Sequence, residues 1–225
     1  MSTGVKIAIG CGILLVLVIV GFVVLTAIGG MFLKNKAEDL TGGLEAQEEA
    51  SQTIQSLEQD HPFTPPSDGV VSDDLAEQFF SVTDDAWDAM REDMEELAER
   101  GEDIEERGGQ AGLGDAMAGV GALGRSRVAL AEALEANDMP VSAYLWTGMA
   151  LVQAYHALSM PPEQTGVPPQ NLELAESHRA ELAEIADSGQ DGRPGKGAVL
   201  GMAWTWGASE GTMPAGWDTM NYNAP

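Results

Sequence analysis

Residues 7–33 read IAIGCGILLVLVIVGFVVLTAIGGMFL, with no charged residue and Thr26 the one clearly polar side chain. A helix needs about 20 apolar residues to cross a hydrocarbon core of roughly 30 Å. Ile7–Leu33 is longer than that, and apolar on every face, which a buried helix of a soluble core seldom is over such a length. The stretch therefore predicts a transmembrane helix. It is also too long for the roughly 7–15-residue apolar region of a cleaved signal peptide. A short amino tail with Lys6 before a long uncharged span has the form of a signal anchor, which predicts a cytoplasmic amino terminus and an extracytoplasmic remainder.

Working outward, Gly4, Ala8 and Gly12 recur every four residues, on one helix face. Small residues at that spacing let a second helix approach closely in lipid, so these three are the expected membrane-packing face. The single cysteine, Cys11, falls inside the span and excludes a disulfide within the chain.

The 225-residue chain carries a formal net charge of −25. Most of it lies between Ala37 and Arg107, where 23 Asp and Glu face three Arg. Such a surface repels nucleic acid and anionic headgroups, and nucleic acid is not an expected partner. Ala37 to Asp60 reads as a helical stalk with Leu40, Leu44, Ile54 and Leu57 as a sparse apolar stripe, weakened at Thr41-Gly42-Gly43. The proline-rich run from His61 to Gly69 then marks a boundary.

Beyond it, Ser72 is placed to cap a helix whose first turn holds Asp73 and Asp74. Leu75, Phe79, Val82, Ala86, Met90, Met94, Leu97 and Ile104 form its inward stripe, and Arg107-Gly108-Gly109 ends it. Leu113 to Ala136 reads as a second long helix with Leu113, Met117, Val120, Leu123, Val128, Ala131 and Leu134 inward. Asn137 or Asp138 is expected to cap a third, with Pro140 in its first turn. Its apolar face is Val141, Tyr144, Leu145, Met149, Val152, Tyr155 and Leu158. A fourth helix starts at Asn171, turns Leu174, Ala175, His178, Leu182 and Ile185 inward, and stops at Ser188-Gly189.

No convincing alternating strand is present. The fold class is therefore all-α: an N-terminal transmembrane helix, an acidic extramembrane helical bundle, and an aromatic irregular C-terminal tail. The divisions are anchor 1–36, acidic stalk and Pro-rich linker 37–71, bundle 72–190, and Gly/Pro/Trp-rich tail 191–225. Trp204, Trp206, Trp217 and Tyr222 are too many large apolar groups for a free polar tail, and such residues are enriched at protein contacts. They are the expected docking residues, with packing on the chain's own bundle as the ordinary alternative.

Catalytic and metal chemistry is not indicated. His61, His156 and His178 are scattered, and none is paired at the spacing that puts two ligands on one helix face. No phosphate loop or nucleophile elbow occurs, and the many carboxylates sit on solvated faces rather than in environments that separate their pKa values. No catalytic residue, metal ligand or cofactor is assigned. The expectation is a non-catalytic accessory subunit in the inner membrane of a bacterium, with the bilayer and other membrane protein subunits as partners; a membrane-tethered sensory or binding module is the alternative. In organisation, through the anchor at Ile7–Leu33, the helical extramembrane part and the aromatic tail, the chain resembles the single-helix accessory subunits of bacterial photosynthetic reaction-centre–light-harvesting complexes. That resemblance implies binding to neighbouring subunits, with pigments held elsewhere.

Overall fold

The computed structural model describes residues 34–109, 111–161, 165–188 and 194–210. The expected transmembrane helix Ile7–Leu33 and its packing residues Gly4, Ala8 and Gly12 lie outside them. Among the described residues no helix is long and apolar enough to cross a membrane. The described chain is all-helical: α1 Lys34–Asp60, α2 Asp73–Glu106, α3 Leu113–Ala136, α4 Val141–Ala157, α5 Pro169–Ser177, α6 Arg179–Ala186 and α7 Gly197–Glu210.

α1 is continuous through Thr41-Gly42-Gly43. Glycine costs only about 1 kcal/mol in a helix interior, and side-by-side packing of α1 on α3 offsets it. The far half of α1 belongs to the core, through Ala50, Ile54 and Leu57. The proline run does not end the packing either: Phe63 lies 5.6 Å from Trp146, ring to ring, and Val71 is buried. The segment read as stalk and linker is thus integral to the bundle.

α2 starts as its sequence dictates, with Ser72 Oγ accepting the Leu75 amide at 3.3 Å. It ends where Gly108 and Gly109 adopt φ of +86° and +78°, a left-handed close that side-chain-bearing residues resist. Phe79, Val82, Ala86 and Met90 are buried as expected.

α3 has the expected bounds, and Ala131 and Leu134 are buried as expected, but Val120 and Leu123 do not face inward. Ala122, Ser126, Leu130, Ala133 and Leu134 are buried, whereas Val120 and Leu123 are 48% and 50% exposed. The reason is steric. α3 is wedged between α1 and α2, and small residues at 122, 126 and 133 let both neighbours come close. Val120 and Leu123 are therefore left on the outside of the helix.

α4 is the central element, with every residue from Val141 to Gly148 buried. Asn137 and Asp138 do not cap it; Pro140 occupies the cap position and supplies no side-chain acceptor. Instead Glu58 of α1 accepts from the Ser142 amide (2.7 Å) and from Ser142 Oγ (2.8 Å). A carboxylate at a helix N-terminus satisfies orphan amides and complements the dipole. Within α4, Tyr144 OH donates to Thr83 Oγ1 at 2.9 Å, while Thr83 donates to the Phe79 carbonyl at 2.7 Å.

The expected fourth helix is two, α5 and α6, separated at His178. Ser177 Oγ donates to the Leu174 carbonyl at 2.8 Å, competing with the helix ladder. The His178 ring stacks on Phe80 at 4.6 Å. α5 begins at Pro169, ahead of the expected Asn171, and Asn171 is a strap: its side chain accepts from Val71 N (2.8 Å) and donates to the Gly69 carbonyl (2.9 Å).

A Cβ on Gly148 would lie 2.6 Å from Phe79 Cε2 and 2.9 Å from Leu200 Cδ1. Gly148→Ala is therefore expected to overpack the junction of α2, α4 and α7 and to lower stability by about 1–3 kcal/mol, read by thermal unfolding. Glu58→Ala, which leaves the start of α4 uncapped, is expected to cost about 1–2 kcal/mol in the same measurement.

Candidate interaction surface

α7 corrects the expectation of an irregular tail from residue 191. Val199, Met202, Ala203 and Trp206 recur at helical spacing, and all four are buried against the bundle. Trp206, one of the expected docking residues, is 1% exposed and belongs to the chain's own core. The Arg127 guanidinium lies 5.8 Å from the centre of its ring, close enough for cation–π attraction. Trp204, two residues earlier, falls on the opposite side of α7 and is 38% exposed. Trp217 and Tyr222 lie outside the described residues.

The start of α7 is held by Lys196, whose Nζ lies 2.9 Å from Asp84 Oδ1 and 2.8 Å from Glu184 Oε2. Its side chain is only 21% exposed. Burial opposes the charged form, but hydrogen bonds to Glu184 and Asp84, and their charges, outweigh it and raise the pKa of Lys196. Residues from α2, α6 and the start of α7 meet at this one ammonium. The sequence carries a signal for it: Lys196 is the only lysine after Lys36 in a chain of 36 acids. Glu58, by contrast, has no local signal, because its partner is 84 positions away.

The exposed large apolar side chains among the described residues are Val120, Leu123, Met160 and Trp204. The first two share one face of α3. An open acidic groove lies at the other end of that helix, lined by Glu49, Asp60, Glu135 and Asp138 together with His61. His61 Nε2 is 4.0 Å from Asp138 Oδ1. No group of three or more His, Cys, Asp or Glu is arranged to hold a metal among the described residues. His156 and His178 are not brought together as ligands; His178 instead pairs with Glu181 at 2.6 Å.

No family model, curated protein or solved structure matches this chain.

Trp206→Ala is expected to destabilise the domain by about 3–5 kcal/mol, as removal of a fully buried indole does. Alkaline unfolding tests the Lys196 clamp. A group whose folded pKa is raised contributes stability that is complete below its unfolded value, about 10.4 for lysine, and lost as pH rises through the folded value. Lys196→Met is expected to lower the melting temperature at neutral pH and to flatten the loss of stability above about pH 10.

Proposed function

We propose that this protein is a non-catalytic accessory subunit, held in the inner membrane of a bacterium through Ile7–Leu33, that binds and stabilises a larger membrane protein assembly. The host that the layout resembles is a photosynthetic reaction-centre–light-harvesting complex. The observation that carries the reading is α1. From Lys34, its first described residue, which follows the apolar run in sequence, it continues without interruption into the core. An anchor joined in this way positions the domain instead of tethering it loosely, which suits a subunit fixed at one place in an assembly. In this reading Gly4, Ala8 and Gly12 pack against a neighbouring membrane helix, and Trp204 is the docking residue on the domain.

A membrane-tethered sensory or binding module is the second reading, favoured by the open acidic groove around His61. The two separate by partner dependence. Full-length tagged protein is purified from its native membranes in mild detergent and its mass determined. Comigration with a stoichiometric membrane assembly, lost on Ala8→Leu with Gly12→Leu, is the result expected of an accessory subunit; a monodisperse monomer overturns it. Trp204→Ala is expected to weaken that association about tenfold or more, as hot-spot truncations do. Its effect on the melting temperature should be small beside that of Trp206→Ala.

A further inference from the structure

The two halves of α2 are built differently. From Asp73 to Met90 it buries Ala76, Phe79, Val82, Thr83, Ala86 and Met90. From Arg91 to Glu106 no residue is buried. The start of α3 offers this second half thin contact: Leu97 Cδ2 comes no nearer than 4.0 Å to where a Cβ of Gly119 would be, and among the described residues nothing lies within 4 Å at Gly114. Asp93 is clamped to α3, accepting from Arg125 Nε at 2.9 Å and also from Arg125 Nη2. Beyond that clamp, the ion pair between the two helices among the described residues joins Arg107, at the end of α2, to Asp115 at 3.4 Å.

Charge opposes this half of the helix as well. Arg91–Glu106 holds nine Asp and Glu against two Arg. Glu92, Glu95, Glu99, Glu102 and Glu106 follow at steps of three and four, forming one exposed stripe of like charge, and like charges at that spacing destabilise a helix. The last turn carries no basic residue. Asp103, Glu105 and Glu106 stand there, at the end where the helix dipole already disfavours anions. Arg100 pairs with Glu96 inside the helix, so salt weakens that attraction while it screens a larger excess of repulsions. A segment with few buried apolar contacts opens before the rest of a fold does. We infer that Met94–Arg107 is a salt-responsive unit of the domain. At low ionic strength it unwinds as far back as the Asp93 clamp while the core stays folded, and added salt closes it.

Amide hydrogen exchange of the full-length chain in a non-ionic detergent, read by mass spectrometry, tests this. Raising NaCl from about 10 mM to about 1 M shortens the screening length from about 30 Å to about 3 Å. At low salt the amides of residues 94–107 are expected to be about tenfold or more less protected than those of residues 75–90. At high salt residues 94–107 are expected to gain about tenfold in protection, with residues 75–90 changed much less. Equal protection of the two halves at low salt would overturn the proposal, as would a gain at high salt shared equally by both. A second measurement uses Glu102→Gln with Glu105→Gln and Glu106→Gln, which neutralises three exposed side chains and leaves the core untouched. That variant is expected to protect residues 94–107 at low salt and to lose most of the salt response. A response as large as the parent's would mean that these charges do not govern the opening, and the proposal would fall.

Discussion

Two hydrogen bonds accepted by Glu58 tie down a stretch, Val141 to Gly148, in which every residue is buried. The first turns of α4 are buried on every side, and buried amides at a helix start must find an acceptor. Pro140 cannot provide one, so the acceptor is imported from α1. The requirement fixes the height of α1 against α4, and with it the burial of Leu57 beside the carboxylate and of Ile54 one turn before it. A second polar tie, from Tyr144 to Thr83, fixes α2 to the same helix from within the core. Burial raises the pKa of the Tyr144 hydroxyl, so it remains a donor across the physiological range. Both ties place a hydrogen bond where leaving the group unpaired would cost more than the bond itself contributes.

The elements legible in the sequence were those with local punctuation. Ser72 with Asp73 and Asp74, and Gly108-Gly109, bound α2 because capping and left-handed closure are properties of a few adjacent residues. The exposure of Val120 and Leu123 on α3 departs from the sequence pattern for a different reason. Between two close neighbours small side chains point inward, so Ala122 and Ser126 are buried while Leu123 is not. Trp206 illustrates the complementary error: an aromatic-rich, glycine-punctuated stretch looks irregular, yet Val199, Met202, Ala203 and Trp206 already carry a helical period. What sequence reasoning could not reach were ties between distant positions, such as Asn171 to Val71 and Glu58 to Ser142. Lys196 lies between these cases, since its rarity marks it as paired while its partners remain unspecified.

The acidic character contributes little to holding the fold. Most of its ion pairs are exposed, including Arg100 with Glu96 and Arg179 with Glu176, and exposed pairs are worth about 0–1 kcal/mol. The acids on the outer half of α2 instead impose mutual repulsion that the core must overcome. Lys196 is the exception, because a largely buried ammonium shared by two carboxylates would be costly to leave unpaired. Its position at the start of α7 explains how a segment flanked by glycines is nevertheless seated on the bundle.

The direction of α1 relative to α3 bears on how the domain meets its surroundings. Leu57 and Asp60 line the same groove as Glu135 and Asp138, so the carboxyl ends of the two helices are together and the helices run side by side in one sense. Lys34 is consequently at the end of α3 that follows the α2–α3 turn. That turn is preceded by Glu102, Asp103, Glu105 and Glu106, all exposed. The first described residue of the chain thus lies at the same end of the bundle as these four exposed acids. Anionic headgroups would be repelled there, and screening over about 8–10 Å at moderate salt relieves this only in part. A neighbour with basic side chains would complement that corner electrostatically.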